Sequence, residues 1–282
     1  MNIHQVIICG AGTMGSGIAQ VAAQNGQETV LYDLAPSALE KAKIAIYASW
    51  KTMVEKQRLT ATQADEACKN LRFTSTVSGL RADLVIEAIV EKLEAKINLF
   101  QSLASCGHNE TIFASNTSSL SIHAIQQALP FPERVAGLHF FNPAPLMKLV
   151  EIVQGPHTNP GVLAALDVLL RKWGKVPVHC KDAPGFLVNR VARPYYLEAL
   201  HLVEAGLGDF ASIDRIAEAT GFRMGPFRLM DLIGNDINLA VSISLYEACG
   251  KPPRFKPSPI QEATVTKGDL GRKTGKGYYT YS

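Results

Sequence analysis

The sequence predicts an α/β domain followed by an all-α domain, and two observations support this prediction. Up to about residue 185, short apolar runs of strand length alternate with helical stretches, which is the pattern of βαβ units. After the segment Asp182-Ala183-Pro184-Gly185, long helical stretches follow one another with no clear strand before the tail. We therefore place the domain boundary at residue 185, with an α/β domain over residues 1–185 and a helical domain over residues 186–282.

The elements of the first domain follow from its apolar runs. A helix is expected through residues 18–23, and the pair Asn25-Gly26 stops it, because glycine is the usual residue just beyond a helix. The expected strands cover residues 6–9, 29–32, 84–86, 112–114, 135–140, 149–153 and 176–179.

A long helical insertion separates the second and third of these strands. Residues 37–56 contain no Gly or Pro and are rich in Ala, Lys, Leu and Glu. Thr60 and Gln63 then form a capping-box pattern, which opens a second helix that runs to about Asn70. The sequence therefore predicts a helical hairpin that stands off the sheet.

The second domain is expected to consist of successive helices with clear stop signals. Helices are predicted over residues 186–205, 212–220 and 235–249, and a glycine follows each of them. A further capping box, Ser258-Pro259-Ile260-Gln261, opens another helix with proline at its first position.

The composition excludes several classes of protein. Of 282 residues, 47% are hydrophobic, and the net charge is only +3, so a disordered chain and bulk nucleic-acid binding are not expected. The five cysteines include no Cys-x-x-Cys pair, which argues against a disulfide scaffold or a thiolate metal site. The N-terminus lacks the features of a secretory signal, and no apolar stretch approaches about 18 residues. We expect a cytoplasmic protein with no metal and no membrane span.

A glycine-rich turn connects the first strand to the first helix. The sequence Gly10-Ala11-Gly12-Thr13-Met14-Gly15 follows the apolar strand and opens the helix, which is the context that gives this motif meaning. Gly10 permits the tight turn, Gly12 lets the backbone approach a pyrophosphate, and Gly15 lets the helix lie close to the strand. The positive end of the helix dipole then faces the phosphates. These features predict a Rossmann-type dinucleotide-binding domain.

An acidic residue ends the second strand. Asp33 lies at the position from which a carboxylate accepts hydrogen bonds from the ribose hydroxyls and repels a 2′-phosphate, so NAD is favoured over NADP. The alternative is a glycine-rich turn in a nucleotide-free α/β fold, with Asp33 only capping the next helix.

A histidine and a glutamate lie on successive predicted strands. His139 ends one strand and Glu151 lies in the next, so neighbouring strands can bring the two side chains into contact. A carboxylate that holds one ring nitrogen fixes the tautomer and raises the basicity of the other nitrogen. The pair suits a base that takes a proton from an alcohol during hydride transfer. A core histidine bonded to a backbone carbonyl is an equally good interpretation.

Two further polar segments are candidates for the site. Residues 115–119 (Ser-Asn-Thr-Ser-Ser) follow an apolar strand at its carboxyl end, where ligands bind in such folds. The same residues also suit a helix N-cap. Asn189 lies in the first turns of the first helix of the second domain, where it suits either substrate contact or a solvated surface.

These residues belong to a set of motifs that are spread along nearly the whole chain. The motifs are residues 10–15, 86–88 (Ile-Glu-Ala), 115–119, 139–143 (His-Phe-Phe-Asn-Pro), 148–151, 184–190, 224–226 (Met-Gly-Pro) and 270–278. With them, the chain resembles the L-3-hydroxyacyl-CoA dehydrogenase family and, within it, the 3-hydroxybutyryl-CoA dehydrogenase branch. Residues 189–196 and 254–258 are similar to the subgroup associated with phenylacetate degradation, whose members act on 3-hydroxyadipyl-CoA.

The resemblance implies roles for the residues that match family motifs. His139 matches the catalytic base, and Glu151 matches the acid that orients it. Ser118 matches the serine that contacts the substrate oxygen near the nicotinamide, and Asn189 matches the asparagine that helps to hold the reacting group. The residues expected to bind NAD are Gly10, Gly12, Thr13, Met14, Gly15, Asp33, Glu91, Lys96, Ser118, Asn142 and Lys273. Those expected to contact the acyl-CoA substrate are Ser49 and Lys56 on the hairpin, together with Ser118 and Asn189.

The activity that the resemblance implies is the reversible oxidation of an L-3-hydroxyacyl-CoA to a 3-ketoacyl-CoA, with hydride transfer to NAD⁺. The segment Pro184-Gly185 is expected to act as a hinge. The family also implies a homodimer through the helical domain. Leu239, Val241, Ile243 and Leu245 are candidates for that interface, although they suit an ordinary core equally well.

Two alternative functions and one departure from the family pattern remain. The first alternative is an NAD-dependent dehydrogenase of a free sugar acid such as L-gulonate; Lys51 and Lys56 on the hairpin favour CoA, but they also suit a solvated helix surface. The second is a non-catalytic, crystallin-like structural protein, against which the complete catalytic set argues. The departure is Asn235, because the commoner family pattern has Leu at this position.

Overall fold

A computed structural model describes residues 2–105 and 110–281. The chain divides into two compact units, Met1–Ala183 and Pro184–Ser282, and each is described by itself. Cys106 lies outside the described residues, and the other four cysteines are free thiols. No helix in the described part of the chain is long and apolar enough to cross a membrane. The described residues also contain no cluster of side chains suited to hold a metal ion.

A twisted sheet lies at the centre of the first unit. Within the described residues it has eight strands in the order β3-β2-β1-β4-β5-β6-β7-β8. The strands from β3 to β6 run parallel, β7 is antiparallel to β6, and β8 is parallel to β7. Their bounds are β1 Gln5–Cys9, β2 Glu28–Tyr32, β3 Leu71–Thr74, β4 Leu84–Glu87, β5 Ile112–Ser115, β6 Val135–Phe140, β7 Leu149–Gln154 and β8 Val176–Lys181.

All the strands expected from the apolar runs are present. The additional strand β3 has Leu71 buried and Arg72 exposed, as suits an edge strand, and four residues are too few for this alternation to stand out in the sequence. The helices of this unit are α1 Thr13–Gln24, α2 Pro36–Glu55, α3 Ala61–Lys69, α4 Leu93–Ala104, α5 Ile122–Gln127 and α6 Pro160–Lys172.

The helical insertion forms the expected hairpin of α2 and α3. The Thr60 hydroxyl accepts a hydrogen bond from the backbone N–H of Gln63, and the side-chain oxygen of Gln63 accepts one from the backbone N–H of Thr60, so the capping box is confirmed. The expectation that the hairpin stands off the sheet is wrong, however. Ile46 and Trp50 of α2 are buried within the main hydrophobic core, because the apolar positions of α2 recur at helical spacing and form one continuous face.

The second unit is helical, as predicted. Its helices are α7 Val188–Glu204, α8 Phe210–Ala219, α9 Pro226–Ile233, α10 Asn235–Ala248 and α11 Pro259–Thr266. The first of these begins two residues later than expected, because Gly185 and Phe186 both have positive φ angles, which no right-handed helix accepts. Leu197, Leu200, Phe227 and Met230 lie at the centre of its core.

Two expectations for the helical unit need correction. Ser258 caps α11, but it accepts its hydrogen bond from Ile260, and the Gln261 side chain donates to Asn238 instead of completing a capping box. The apolar residues proposed for a dimer interface do not share one surface. Leu239 and Leu245 are buried, whereas Ile243 is exposed. Ile243 and Leu245 are two residues apart and therefore point to different sides of the helix.

A buried carboxylate on α9 holds the C-terminal tail. Asp231 accepts hydrogen bonds from the backbone N–H groups of Tyr278 and Tyr279 and from the hydroxyl of Tyr281. Asn235 donates its side-chain amide to the same carboxylate at 2.8 Å and to the carbonyl of Asp269. The departure from the family pattern at Asn235 is therefore explained by anchoring of the segment that leads into the tail.

Candidate active site

The candidate site of the first unit lies along one edge of its sheet. β1, β4, β5 and β6 are parallel neighbours, so their carboxyl ends meet at this edge. The glycine-rich turn and the loops after β4 and β5 all leave from there. In an open α/β sheet this edge is where ligands bind, next to the strand at which the winding direction changes.

The glycine-rich turn is shaped by close backbone contacts. Gly10 has φ +103°, and a Cβ atom there would lie 2.5 Å from the carbonyl oxygen of Ala88. A Cβ on Gly15 would lie only 1.7 Å from the carbonyl oxygen of Gly10. Only glycine at position 15 therefore allows α1 to pack this closely against the turn. Gly12 faces open space and begins α1 without a side-chain cap. The N–H groups of exposed Thr13 and half-buried Met14 at this helix end therefore suit a dinucleotide phosphate.

The carboxylate of Asp33 ties the second strand to this turn. One oxygen accepts the N–H of Ala11 at 2.7 Å, and the other accepts the N–H of Ala35 at 2.9 Å. Asp33 thus supports the glycine-rich turn and the segment that leads into α2. It does not cap α2, because the N-cap residue of that helix is Ala35, which has no side-chain cap.

A buried ion-pair network joins the loops after β4 and β5. The ammonium group of Lys96 is fully buried and lies 2.6 Å from Oε1 of Glu87 and 3.0 Å from Glu91. Glu87 also accepts a hydrogen bond from the hydroxyl of Ser115 at 2.6 Å. Sequence reasoning found Glu91 and Lys96 only through the resemblance and assigned no role to Glu87. The sequence feature that could have identified Glu87 was an acidic residue at the end of an otherwise apolar strand.

Glu91 organises the loop that follows β5. Its carboxylate accepts hydrogen bonds from the hydroxyl of Thr117 at 2.5 Å and from the backbone N–H of Ser118 at 3.0 Å. Burial alone would raise the pKa of Glu91, but the charge of Lys96 and these hydrogen bonds hold it below its ordinary value. Glu91 is therefore a carboxylate at neutral pH and holds Ser118 at the edge of the sheet.

His139 and Glu151 form a direct contact across β6 and β7. Nδ1 of His139 lies 2.7 Å from Oε2 of Glu151, and the glutamate is completely buried. The loop after β5 is tied to the same place, because Asn116 accepts the N–H of Phe140 at 2.8 Å. The ring of Phe141 packs against the imidazole with their centroids 4.4 Å apart. The histidine is thus held by a carboxylate and an aromatic ring.

A cavity of about 330 Å³ lies between α1, α2 and the loop after β6. Gly12, Thr13 and Asn142 contribute to its wall, and Lys41 of α2 also lines it. Ser49 does not line the cavity, but it accepts a hydrogen bond from Gln20, which does. Lys56 lies apart from it, at the exposed C-cap of α2. Sequence reasoning missed Lys41, whose spacing of about two helical turns from Ser49 was the available signal.

Two expected site residues belong to the second unit. Asn189 is the second residue of α7 and is half-buried. Lys273 lies in a short 3₁₀ turn, and its ammonium group contacts both oxygens of Asp236, at 2.6 and 2.7 Å. Burial alone would raise the pKa of Asp236, but this contact and its hydrogen bonds hold it below the ordinary value.

Comparisons with known proteins agree with this arrangement. Residues 5–183 match the 3-hydroxyacyl-CoA dehydrogenase NAD-binding domain, and residues 185–281 match the C-terminal domain of the same family. A 3-hydroxyadipyl-CoA dehydrogenase of Escherichia coli is 46% identical over all of this chain, which spans 60% of that protein. The mitochondrial hydroxyacyl-coenzyme A dehydrogenase of Sus scrofa is 41% identical, with 99% of this chain and 91% of the relative covered.

Solved structures give the same result. A crystal structure of an (S)-3-hydroxybutyryl-CoA dehydrogenase from Ralstonia eutropha matches with a TM-score of 0.95 and 36% identity, and both chains are covered completely. The predicted fold class and NAD-binding domain are confirmed by these matches. The chain belongs to the 3-hydroxyacyl-CoA dehydrogenase family.

Proposed function

We propose that this protein catalyses the reversible, NAD-dependent oxidation of an L-3-hydroxyacyl-CoA to the corresponding 3-ketoacyl-CoA. The observation that carries the proposal is the 2.7 Å contact between His139 and Glu151 at the ligand-binding edge of an NAD-binding domain. Bound NAD⁺ supplies the hydride acceptor. The remaining chemistry is proton transfer and positioning, for which the described side chains are suited.

His139 acts as the general base in the oxidative direction. The Glu151 carboxylate only accepts hydrogen bonds, so Nδ1 of His139 carries a proton and Nε2 is the basic nitrogen of the neutral ring. Nε2 takes the hydroxyl proton as the C3 hydride leaves, and Glu151 stabilises the imidazolium that forms. In the reductive direction the imidazolium returns this proton to the substrate oxygen. Ser118 and Asn189 position the reacting group.

The cofactor is held by the glycine-rich turn and the network beside it. Gly10, Gly12 and Gly15 shape a turn whose helix end binds the pyrophosphate, and Asp33 accepts hydrogen bonds from the ribose hydroxyls. Glu91, Lys96, Ser118, Asn142 and Lys273 complete the proposed NAD contacts.

The CoA portion of the substrate is assigned to the hairpin side of the first unit. The cavity between α1 and α2 is lined by Lys41 and by Gln20, whose side-chain amide donates a hydrogen bond to Ser49. Lys56 adds a second cation two helical turns beyond Ser49 on the same side of α2. Phosphate groups of CoA suit these ammonium groups.

The assembly and location of the protein are part of this proposal. A homodimer through the helical unit is supported by the exposed apolar side chains of Ile237 and Ile243, which are 51% and 42% exposed. A cytoplasmic location is supported by the free thiols of the four described cysteines. The segment Pro184-Gly185, which begins the second unit, is proposed as the hinge between the domains.

The test is NADH oxidation with purified protein and a panel of keto substrates. Acetoacetyl-CoA and longer 3-ketoacyl-CoAs should be reduced, and free acetoacetate and a free keto sugar acid should not. The His139→Gln protein should lose this activity and still bind NADH. Efficient reduction of the free acids, with no reduction of any CoA thioester, would contradict the proposal and favour a sugar-acid dehydrogenase.

A further inference from the structure

A buried arginine in the helical unit lacks the acidic partner that such a residue ordinarily has. Arg193 of α7 is only 3% exposed, and burial lowers the pKa of its guanidinium to about 10. Within the described part of the chain, no Asp or Glu side chain pairs with it. A buried cation without a counter-charge is costly, so Arg193 is a candidate for a role beyond packing.

The hydrogen bonds of Arg193 use one side of the guanidinium. Nη1 donates to the backbone oxygen of Asn238 at 2.9 Å, to its side-chain oxygen at 3.1 Å and to the hydroxyl of Ser242 at 2.9 Å. Nε is buried without a hydrogen-bond partner among the described residues, and Nη2 donates no hydrogen bond to them. Nε and Nη2 form one of the guanidinium edges that bind a carboxylate through two parallel hydrogen bonds.

The guanidinium is held in place by a second layer of contacts. Gln261 donates its side-chain amide to Oδ1 of Asn238 at 2.9 Å and thereby fixes the amide that receives Arg193. The Tyr196 ring lies 4.9 Å from the guanidinium carbon, a distance typical of a cation–π contact. Neutral groups thus hold the Arg193 guanidinium on one side. The donors Nε and Nη2 on its other side are positioned to bind an anion.

The position of Arg193 on α7 suggests which anion this is. Arg193 follows Asn189 by four residues, so the two side chains lie on one face of the helix about 6 Å apart along its axis. Asn189 is the residue that the proposed function places beside the reacting C3 group.

We infer that Arg193 is a specificity-determining residue that binds a carboxylate at the far end of the acyl group. The inference rests on the proposed function and narrows its substrate class to thioesters of 3-hydroxy dicarboxylic acids. In a six-carbon diacid the second carboxylate follows C3 by three bonds, a reach on the order of 5 Å, which matches the spacing between Asn189 and Arg193. The relative named 3-hydroxyadipyl-CoA dehydrogenase, at 46% identity, agrees with this substrate class.

The test compares two substrates that differ only at the end of the acyl chain. NADH-dependent reduction is measured with 3-ketoadipyl-CoA, which ends in a carboxylate, and with 3-ketohexanoyl-CoA, which ends in a methyl group at the same chain length. The unmodified protein should have at least a tenfold higher kcat/KM for 3-ketoadipyl-CoA. Arg193→Met should reduce this ratio by about 10- to 100-fold, the loss expected for charge-assisted hydrogen bonds. The ratio for Arg193→Lys should lie between those of the unmodified protein and Arg193→Met, because lysine keeps the charge but not the fork geometry of the guanidinium.

A matched control is provided by Arg190 on the same helix. Its guanidinium contacts the sulfur of Cys249 and lies 5.7 Å from the Phe255 ring centre, so Arg190→Met removes an arginine from α7 without touching the Arg193 contacts. This variant should leave the substrate ratio unchanged. KM for NADH should be unchanged in all of these variants.

The outcomes separate the inference from the proposed function. If Arg193→Met lowers kcat/KM equally for both substrates, Arg193 only connects α7 to α10 and the inference fails. The inference also fails if the unmodified protein has equal kcat/KM values for 3-ketoadipyl-CoA and 3-ketohexanoyl-CoA. If neither thioester is reduced, and acetoacetyl-CoA and longer 3-ketoacyl-CoAs are not reduced either, the proposed function fails. Calorimetry with adipyl-CoA and hexanoyl-CoA then tests Arg193 without turnover: tighter binding of adipyl-CoA, lost in Arg193→Met and partly kept in Arg193→Lys, supports the inference, and equal binding contradicts it.

Discussion

His139 and Glu151 are direct partners in the register between β6 and β7, so the backbone pairing itself brings Nδ1 within 2.7 Å of Oε2. Both residues lie within strands. A group held by two paired strands keeps its geometry when a ligand binds or a loop moves. The catalytic proposal can therefore be tested by conservative substitutions that leave the strands intact.

His139→Gln should lower the rate of hydroxyacyl-CoA oxidation by about 10²- to 10⁴-fold, because glutamine cannot take up a proton. Binding of NADH should persist, since the glycine-rich turn is a separate element. Glu151→Gln should keep partial activity, because the imidazolium that forms on His139 loses its counter-charge. The values of kcat for the three proteins test both points. Near-normal turnover in His139→Gln would rule out the proposed base.

Asp33 should set the preference for NADH over NADPH, because its carboxylate repels a 2′-phosphate. We expect Asp33→Ser to reduce the ratio of the two kcat/KM values by at least tenfold. The control is Asp83→Ser. Asp83 also binds backbone N–H groups, those of His4 and Gln5, but at the opposite end of β1. An unchanged ratio in Asp33→Ser would show that another residue discriminates between the cofactors.

Lys56 should contribute to CoA binding through its charge. Lys56→Glu is expected to raise KM for acetoacetyl-CoA, and the effect should shrink as salt increases, because exposed charges are screened over about 10 Å at 0.1 M salt. Lys69→Glu introduces the same charge change at an exposed site on α3 and should have little effect. If KM for NADH rises instead, the assignment of CoA to the hairpin is wrong.

Removal of one partner of the buried pair Lys96–Glu87 should destabilise the first unit. Lys96→Met should lower the free energy of unfolding by about 3–5 kcal/mol, because it leaves the fully buried Glu87 without its counter-charge. The double variant with Glu87→Gln should recover part of this loss. Lys251→Met removes an exposed pair with Glu247 and should change stability by less than about 1 kcal/mol. Urea denaturation measures all three, and equal effects at Lys96 and Lys251 would contradict the assigned burial.

The tail tyrosines should make the helical unit sensitive to alkali. Burial, together with the hydrogen bond to Asp231, raises the pKa of Tyr281 from 10.0 to about 12. The folded state then keeps a proton that the unfolded state releases, so the free energy of unfolding falls as pH rises between these values. Tyr281→Phe should show a shallower fall in urea denaturation at pH 9 to 12. An identical pH dependence in the variant would contradict this origin of alkaline sensitivity.

The parts of the fold that the sequence predicted well are those with strong local signals. The strand through Val135–Phe140 is a continuous apolar run, and Thr60 with Gln63 is a complete capping pattern. Helix α9, in contrast, was not predicted, because its eight residues are too few to show a period, although Pro226 marks its start. The capping-box pattern at Ser258 was misleading, because the side chain of Gln261 donates its hydrogen bond to Asn238 on α10.

The candidate site was predictable where a motif fixes the chemistry, as at the glycine-rich turn. The role of Glu87 was not, because its partners Lys96 and Ser115 come together only when β4 and β5 pair. The same holds for Arg193. The sequence shows only a basic residue in a helix, and its burial against Asn238 depends on the packing of α7 on α10.

The anchoring of the tail by Asp231 has a consequence for synthesis of the protein. The carboxylate lies on α9, and its partners Tyr278, Tyr279 and Tyr281 follow it by 47 to 50 residues. While the chain emerges from the ribosome, Asp231 has none of these partners until the residues of the tail have also left the exit tunnel. The helical unit therefore completes this part of its core after the tail has been translated, and a chain that stalls before Tyr278 leaves the Asp231 carboxylate without its three tail partners.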